Sequence, residues 1–205
     1  MREFKRTAMG LWVICALLGS LSVAAAPNAT DMVKQITNRM LSALIKQRAQ
    51  IERDPTRIYG LVNRILVPRF DFGRITRAAV GGKHWRKASA TQQRDLIRGF
   101  RELLVRTYSK ALLNYSGQEI RYLGEAPGRS STTVVSAEVR EAGAAPIPIQ
   151  YKLHRKSGRW KIFDVKIDGV SLVRNYRGSF DSQIRRRGID GLIERLGEMN
   201  AQGKR

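Results

Sequence analysis

The chain has 205 residues, and 38 Lys and Arg against 17 Asp and Glu give it a formal charge of +21. With 42% hydrophobic and 27% charged residues it has the balance of a globular domain and not of a disordered chain. The length suits one domain whose core needs no disulfide or metal staple, and a lone Cys15 excludes an internal disulfide and any Cys-x-x-Cys metal or redox motif.

Residues 1–6 carry Arg2, Lys5 and Arg6 against Glu3, and residues 7–26 carry no charge. Leu11-Trp12-Val13-Ile14 and Ala16-Leu17-Leu18 form the apolar centre, and Val23-Ala24-Ala25-Ala26 supplies small residues before Pro27. That order predicts a secretory signal peptide over 1–25, cut after Ala24 or Ala25, and a single domain over 26–205. An uncleaved anchor is the competing reading, because the uncharged run approaches the ~20 residues of a membrane span. Ile14 ahead of Cys15 does not fit a lipid-modified cysteine. Cleavage removes Cys15 with three basic residues and one acid, leaving +19. Export also turns that charge away from nucleic acid and toward an anionic membrane surface, where each nearby Lys or Arg contributes ~1 kcal/mol.

Thr30 or Asp31 is expected to cap a first helix running to about Arg53, with Met32, Val33, Ile36, Met40, Leu44 and Ile45 at helical spacing. Asp54-Pro55 opens a second helix that Pro68 ends. Asp71 caps a short third one, closed by Gly81-Gly82. Ser89 and Gln92 form a capping box at the head of the longest helix, whose stripe runs from Leu96 to Tyr115. After Gly117 the period changes to two: Ile120 and Tyr122, then Val135 to Val139, Ile147 to Leu153, and Phe163, Val165 and Ile167 opposite Ile162, Asp164 and Lys166. Pro148 belongs on an edge or at a bulge. Helical spacing returns near Val170 and breaks at Gly188 before a last short helix. The pattern predicts an α+β fold, with an antiparallel sheet of about four strands packed against N- and C-terminal helices.

Catalytic chemistry is scarce. His154 falls on the polar side of its strand and reads as solvated. His84 sits among Lys83, Arg86 and Lys87 with no partner carboxylate evident in the sequence. No metal site is expected and no cofactor. Gly169-Val170-Ser171 has the position of a nucleophile elbow but lacks its second glycine, and Ser171 reads equally well as a helix cap. Asp164 and Asp168 flank Lys166 and read as a solvated charge ladder. No catalytic residue is assigned. Aromatic and apolar residues are abundant, and periodicity alone cannot separate a filled core from a hollow one.

Several segments share an order. They are Val67-Pro68-Arg69-Phe70-Asp71-Phe72, Val80-Gly81-Gly82-Lys83-His84-Trp85-Arg86-Lys87, Phe100-Arg101-Glu102-Leu103-Leu104, Arg159-Trp160-Lys161-Ile162-Phe163-Asp164-Val165, and Ser171-Leu172-Val173-Arg174-Asn175-Tyr176-Arg177. Together, over about Asp31 to Leu196, the set resembles the MlaC (toluene-tolerance) family of periplasmic phospholipid-binding proteins. An extra residue between Gly81 and Trp85 and the high basic charge depart from its pattern.

The resemblance implies an apolar pocket between sheet and helices that holds phospholipid acyl chains. It also implies traffic between an outer-membrane lipoprotein–porin complex and an inner-membrane ABC transporter complex, which maintains outer-membrane lipid asymmetry. A diacyl lipid with about 15 methylenes per chain exposes roughly 24 kcal/mol of hydrophobic free energy to water, so free diffusion across the periplasm is negligible and a carrier with a dry pocket is physically reasonable. From facing alone, the expected lipid-binding residues are Phe100, Leu104 and Tyr108 of the long helix and Tyr151, Leu153, Phe163 and Val165 of the sheet, closed by Val173 and Tyr176. Lys83, Arg86, Lys87, Arg185, Arg186 and Arg187 are candidates for transient membrane-surface or partner contact. Two alternatives stay open: a hopanoid-associated lipid carrier, and a basic periplasmic partner-binding module with a solid core.

Overall fold

The structure, a computed structural model, describes residues 28–202. The expected signal peptide and cleavage site, with Cys15, lie outside the described residues.

Helix α1 spans Ala29–Lys46, and its first turn is capped by Asn28, whose Oδ1 accepts the Asp31 N–H at 2.7 Å. The cap therefore stands two residues before Thr30 and three before Asp31. The helix does not run on to Arg53. It breaks at Gln47, and the short α2 (Arg48–Arg53) turns Ile51 into a cluster with Met40, Leu44, Ile58 and Leu61. Asp54 Oδ1 accepts both the N–H and the hydroxyl of Thr56, a local turn that delays α3 to Arg57–Ile65. Pro68 sits inside a 3-10 turn, Val67–Arg69. Asp71 caps α4 (Phe72–Val80) through the Arg74 N–H at 3.1 Å. Gly81, at φ +86°, then turns the chain into α5 (Gly82–Lys87). The reciprocal Ser89–Gln92 capping box opens α6 (Ala90–Leu113).

Strands β1 (Glu119–Pro127), β2 (Thr132–Arg140), β3 (Ile147–Lys156), β4 (Arg159–Ile167) and the two-residue β5 (Val170–Ser171) form one antiparallel meander in sequence order. Val135, Tyr151 and Val165 stand side by side across it, as do Ala137, Ile149 and Ile167. Pro148 lies in an interior strand, not on an edge. Its carbonyl accepts from the Asp168 N–H at 2.9 Å just past the last β3–β4 pair, so its missing N–H breaks no ladder bond.

One extra residue in β4 shifts the register between the pairs Lys152–Asp164 and Leu153–Ile162. This bulge corrects the expected facing of β4. Ile162 joins Val165 in the cluster under α1, and Phe163 packs instead toward His154 and Arg74.

Helix α1 covers the sheet's apolar face: Ala29, Met32, Val33 and Ile36 pack on Val135, Leu153, Ile162 and Val165. Helix α7 (Leu172–Gln202) packs on α6 and α4 and meets the sheet along β4. Gly188, at φ +71° and ψ −175°, kinks it so that Leu192 and Leu196 remain in the helical core with Leu96 and Phe100.

Candidate functional site

Where α1, the segment from Leu66 to Phe70, the end of α6 and the sheet diverge, their apolar side chains do not meet. They leave a cavity of about 450 Å³ with walls from Ile36 and Met40 of α1, Leu112 of α6, Ile149 and Tyr151 of β3, and Ile162 of β4. Ile147 and Ile167, 46% and 37% exposed, stand at its rim. Leu66 and Phe70 form a wall behind which lies a second cavity of about 110 Å³, lined by Phe72, Leu104, Tyr108, Val165 and Val173. Leu112 and Tyr115 are shared on the other side with a cleft of about 350 Å³ beside Leu44 and Ile45. The combined space is elongated and within the ~300–1,000 Å³ of ordinary ligand sites. Its two inner cavities are mostly apolar, with Asn114, Gln118 and Glu141 also lining the large one, and Arg48 and Glu52 line the cleft.

Two phenols in these walls, Tyr151 and Tyr108, are held protonated by burial. Burial pushes the Tyr151 phenol far above its usual range, a rise reinforced by Tyr122 and eased by Thr37. Burial likewise raises Tyr108, beside Tyr176 and Asn175, to about 12. Asp164 edges the small cavity, but both of its carboxylate oxygens accept from Ser171 Oγ, at 2.8 and 2.9 Å, and Lys152 Nζ stands 3.4 Å away. It is buried and bonded and no part of a solvated ladder.

Ser171 Oγ also accepts the Arg174 N–H at 3.2 Å and so caps α7. Neither histidine serves it. His84 Nε2 lies 2.8 Å from Asp181 of α7, and His154 Nε2 lies 3.1 Å from Asp71. Both pairings correct the sequence-based expectations of a solvated His154 and an unpartnered His84. They cross between distant elements and leave no local sequence signal. Among the described residues no group of three or more His, Cys, Asp or Glu is placed to hold a metal ion. No described helix is long and apolar enough to cross a membrane.

Of the expected lipid-binding residues, Tyr151 lines the large cavity, and Leu104, Tyr108, Val165 and Val173 line the small one. The other four line neither. Phe100 is fully buried edge-on to Tyr176 and Phe180, with ring centroids 5.0 and 4.9 Å apart. Leu153 is fully buried in the cluster under α1, and Phe163 lies under the Arg74 guanidinium at 3.9 Å. Sequence reasoning missed Ile36, Met40, Leu66, Phe70, Ile149 and Ile162. Their apolar spacing was visible, but which apolar residue lines a void depends on how far apart the layers stand.

The candidate basic residues fall into two groups. Lys83, Arg86 and Lys87 are exposed on α5, which the His84–Asp181 contact holds against α7. Arg185 pairs with Asp181 at 2.9 Å and Arg187 with Glu194 at 2.8 Å, while Arg186 is exposed.

An α+β domain with an elongated apolar cavity between its sheet and helices is the architecture of a binding protein for an apolar ligand. The chain belongs to the MlaC family, whose model matches residues 34–198 under the description "MlaC protein". It is 30% identical over 181 residues to the toluene tolerance protein Ttg2D of Pseudomonas putida, covering 88% of this chain and 84% of that one. It is 26% identical over 195 residues to the intermembrane phospholipid transport system binding protein MlaC of Haemophilus influenzae, covering 93% and 91%. Among solved structures it resembles the phospholipid-binding protein of Ralstonia solanacearum in complex with a phospholipid. That likeness has a TM-score of 0.79 and 31% identity, over 87% of this chain and all of the other.

Proposed function

We propose that this chain is a periplasmic phospholipid carrier that shuttles lipid between outer- and inner-membrane transport complexes and so maintains outer-membrane asymmetry. The observation that carries the reading is the elongated apolar cavity, open at Ile147 and Ile167, in a family whose Ralstonia member was solved with a phospholipid. Acyl chains enter between sheet and helices and leave water, at ~0.8 kcal/mol per buried methylene. The headgroup stays at the rim, in water.

The chain acts by binding and catalyses no reaction. Ser171, the one serine placed like a nucleophile, caps a helix and donates to a carboxylate. In this reading residues 1–25 direct export and are removed, and 26–205 form the working domain. Tyr151, Leu104, Tyr108, Val165 and Val173 touch the chains, while Phe100, Leu153, Phe163 and Tyr176 set the walls' positions from behind. The exposed cations Lys83, Arg86 and Lys87, with Arg186, meet anionic headgroups during docking.

The test is extraction of a fluorescent phospholipid from vesicles. Wild-type protein should take it up, and Ile149→Trp, which puts an indole ring into the large cavity and narrows it, should fold and take up less. Equal uptake by the two proteins would place the lipid elsewhere.

A further inference from the structure

Beyond lipid carriage, the structure assigns this chain a second binding site, a cationic groove at the far end of the sheet that docks an acidic segment of a partner protein. The groove, about 670 Å³, lies between α4, the start of α5, the end of β3 and α7. Its walls carry Arg74 and Arg77 of α4, Arg177 of α7 and Lys156 of β3, and Trp85 faces the same space. Arg74 and Arg77 are three apart and so share one face of α4. All four cations are exposed. Among the described residues, none of the three arginines has an ion-pair partner, and the only acid in the groove is already occupied: Asp71 holds His154 at 3.1 Å and Lys156 at 3.2 Å. A cluster of guanidinium groups left without counter-charge around one space is a recognition site for carboxylates or phosphates.

Shape favours a peptide over a membrane. The groove's lining also includes the small residues Gly73, Ala78, Gly81 and Gly82, which let a peptide backbone approach closely. Arginine and tryptophan are also the side chains that most often carry binding energy at protein interfaces. The groove is not the headgroup end of the lipid site. Strand β3 runs from Ile147 at the cavity rim to Lys156 at the groove, which separates the two by about 30 Å of extended strand.

The probe is a fluorescein-labelled hexaglutamate peptide, followed by anisotropy at low salt, with inorganic phosphate and vesicles rich in anionic lipid as competitors. Arg77→Glu with Arg177→Glu should weaken peptide binding roughly tenfold or more. Arg101→Glu with Lys110→Glu, the same charge change on the exposed side of α6, should weaken it less than about twofold. Arg77→Gln with Arg177→Gln repeats the test should the reversed pair fold poorly by circular dichroism. Equal losses in the groove and control pairs would overturn the site, as would vesicles or phosphate displacing the peptide from the groove at lower concentration than unlabelled peptide does. Phospholipid uptake by the groove variants should match wild type, and its loss would also overturn the proposal by merging the two sites. Wild-type protein that takes up no lipid yet binds the peptide through Arg77 and Arg177 would sink the carrier reading and keep the groove.

Discussion

Phe70 pairs with Ile162 of β4 as a lone parallel bridge, locked by the Asp71 N–H donating to the Ile162 carbonyl at 2.8 Å. The same Phe70, with Leu66, walls off the small cavity from the large one. One residue thus ties the helical layer to the sheet and sets how long the apolar space is. Phe70→Ala should join the two cavities and destabilise the fold by about 2–4 kcal/mol, below the full-burial value because the ring is only half-buried. Urea titration measures the second effect. Native mass spectrometry of the lipid-loaded variant should show bound lipid of greater mean chain length, and an unchanged lipid profile would deny Phe70 its role as a divider.

Asp71 predicts an acid sensitivity. Burial pushes its carboxyl up, but the Arg74 N–H, Lys156 and His154 outweigh that and hold it below its ordinary range. A carboxylate lowered on folding binds fewer protons in the folded state, so its stabilisation is complete above the unfolded value of about 3.9 and fades as pH falls through the lower folded value. Asp71→Ala, which also removes the α4 cap, should cost about 1–3 kcal/mol at neutral pH. Its denaturation midpoint should then vary less than wild type's between neutral pH and pH 3.

The tyrosines predict the opposite edge. Tyr108 is raised to about 12, and Tyr122 and Tyr151 are raised by burial. A raised acid keeps its proton in the folded state, so the stability it lends is complete below about 10 and is lost as pH rises toward the folded value. Absorbance titration at alkaline pH should show these three phenols ionising late among the six in the chain, together with unfolding. Six phenols titrating together near the ordinary value in folded protein would contradict the burial assigned here.

Gly188→Ala should destabilise the protein by about 1–3 kcal/mol through backbone strain alone. Nothing lies within 4 Å of where the added Cβ would stand, and φ is +71°. Thermal melts measure the loss. A neutral result would mean that α7 straightens without consequence for Leu192 and Leu196.

Much of the fold was legible because local chemistry wrote it. The Ser89–Gln92 box, the Asp71 cap and the Gly81-Gly82 and Gly188 breaks each depend on residues within one turn of one another. The β4 bulge was not legible. A period of two assigns Phe163 to one face and Ile162 to the other, and only pairing with Leu153 shows that Ile162 points inward. The break at Gln47 was hidden because no Gly or Pro marks it; the clustering of Ile51 with Ile58 does. The cavity was half legible for the same reason. Tyr151 and Val165 could be faced correctly from alternation, whereas Phe100 shares its stripe with Leu104 and yet closes into an aromatic cluster with Tyr176 and Phe180. His84 with Asp181 and His154 with Asp71 join residues more than eighty positions apart, beyond the reach of any local pattern.

The most direct test of the carrier reading is native mass spectrometry of the mature protein isolated from the periplasm, followed by lipid extraction. A phospholipid carrier should show a discrete added mass that extracts as phospholipid and diminishes in Ile149→Trp. Bare protein that also takes no phospholipid from vesicles would contradict it and leave a partner-binding module in its place.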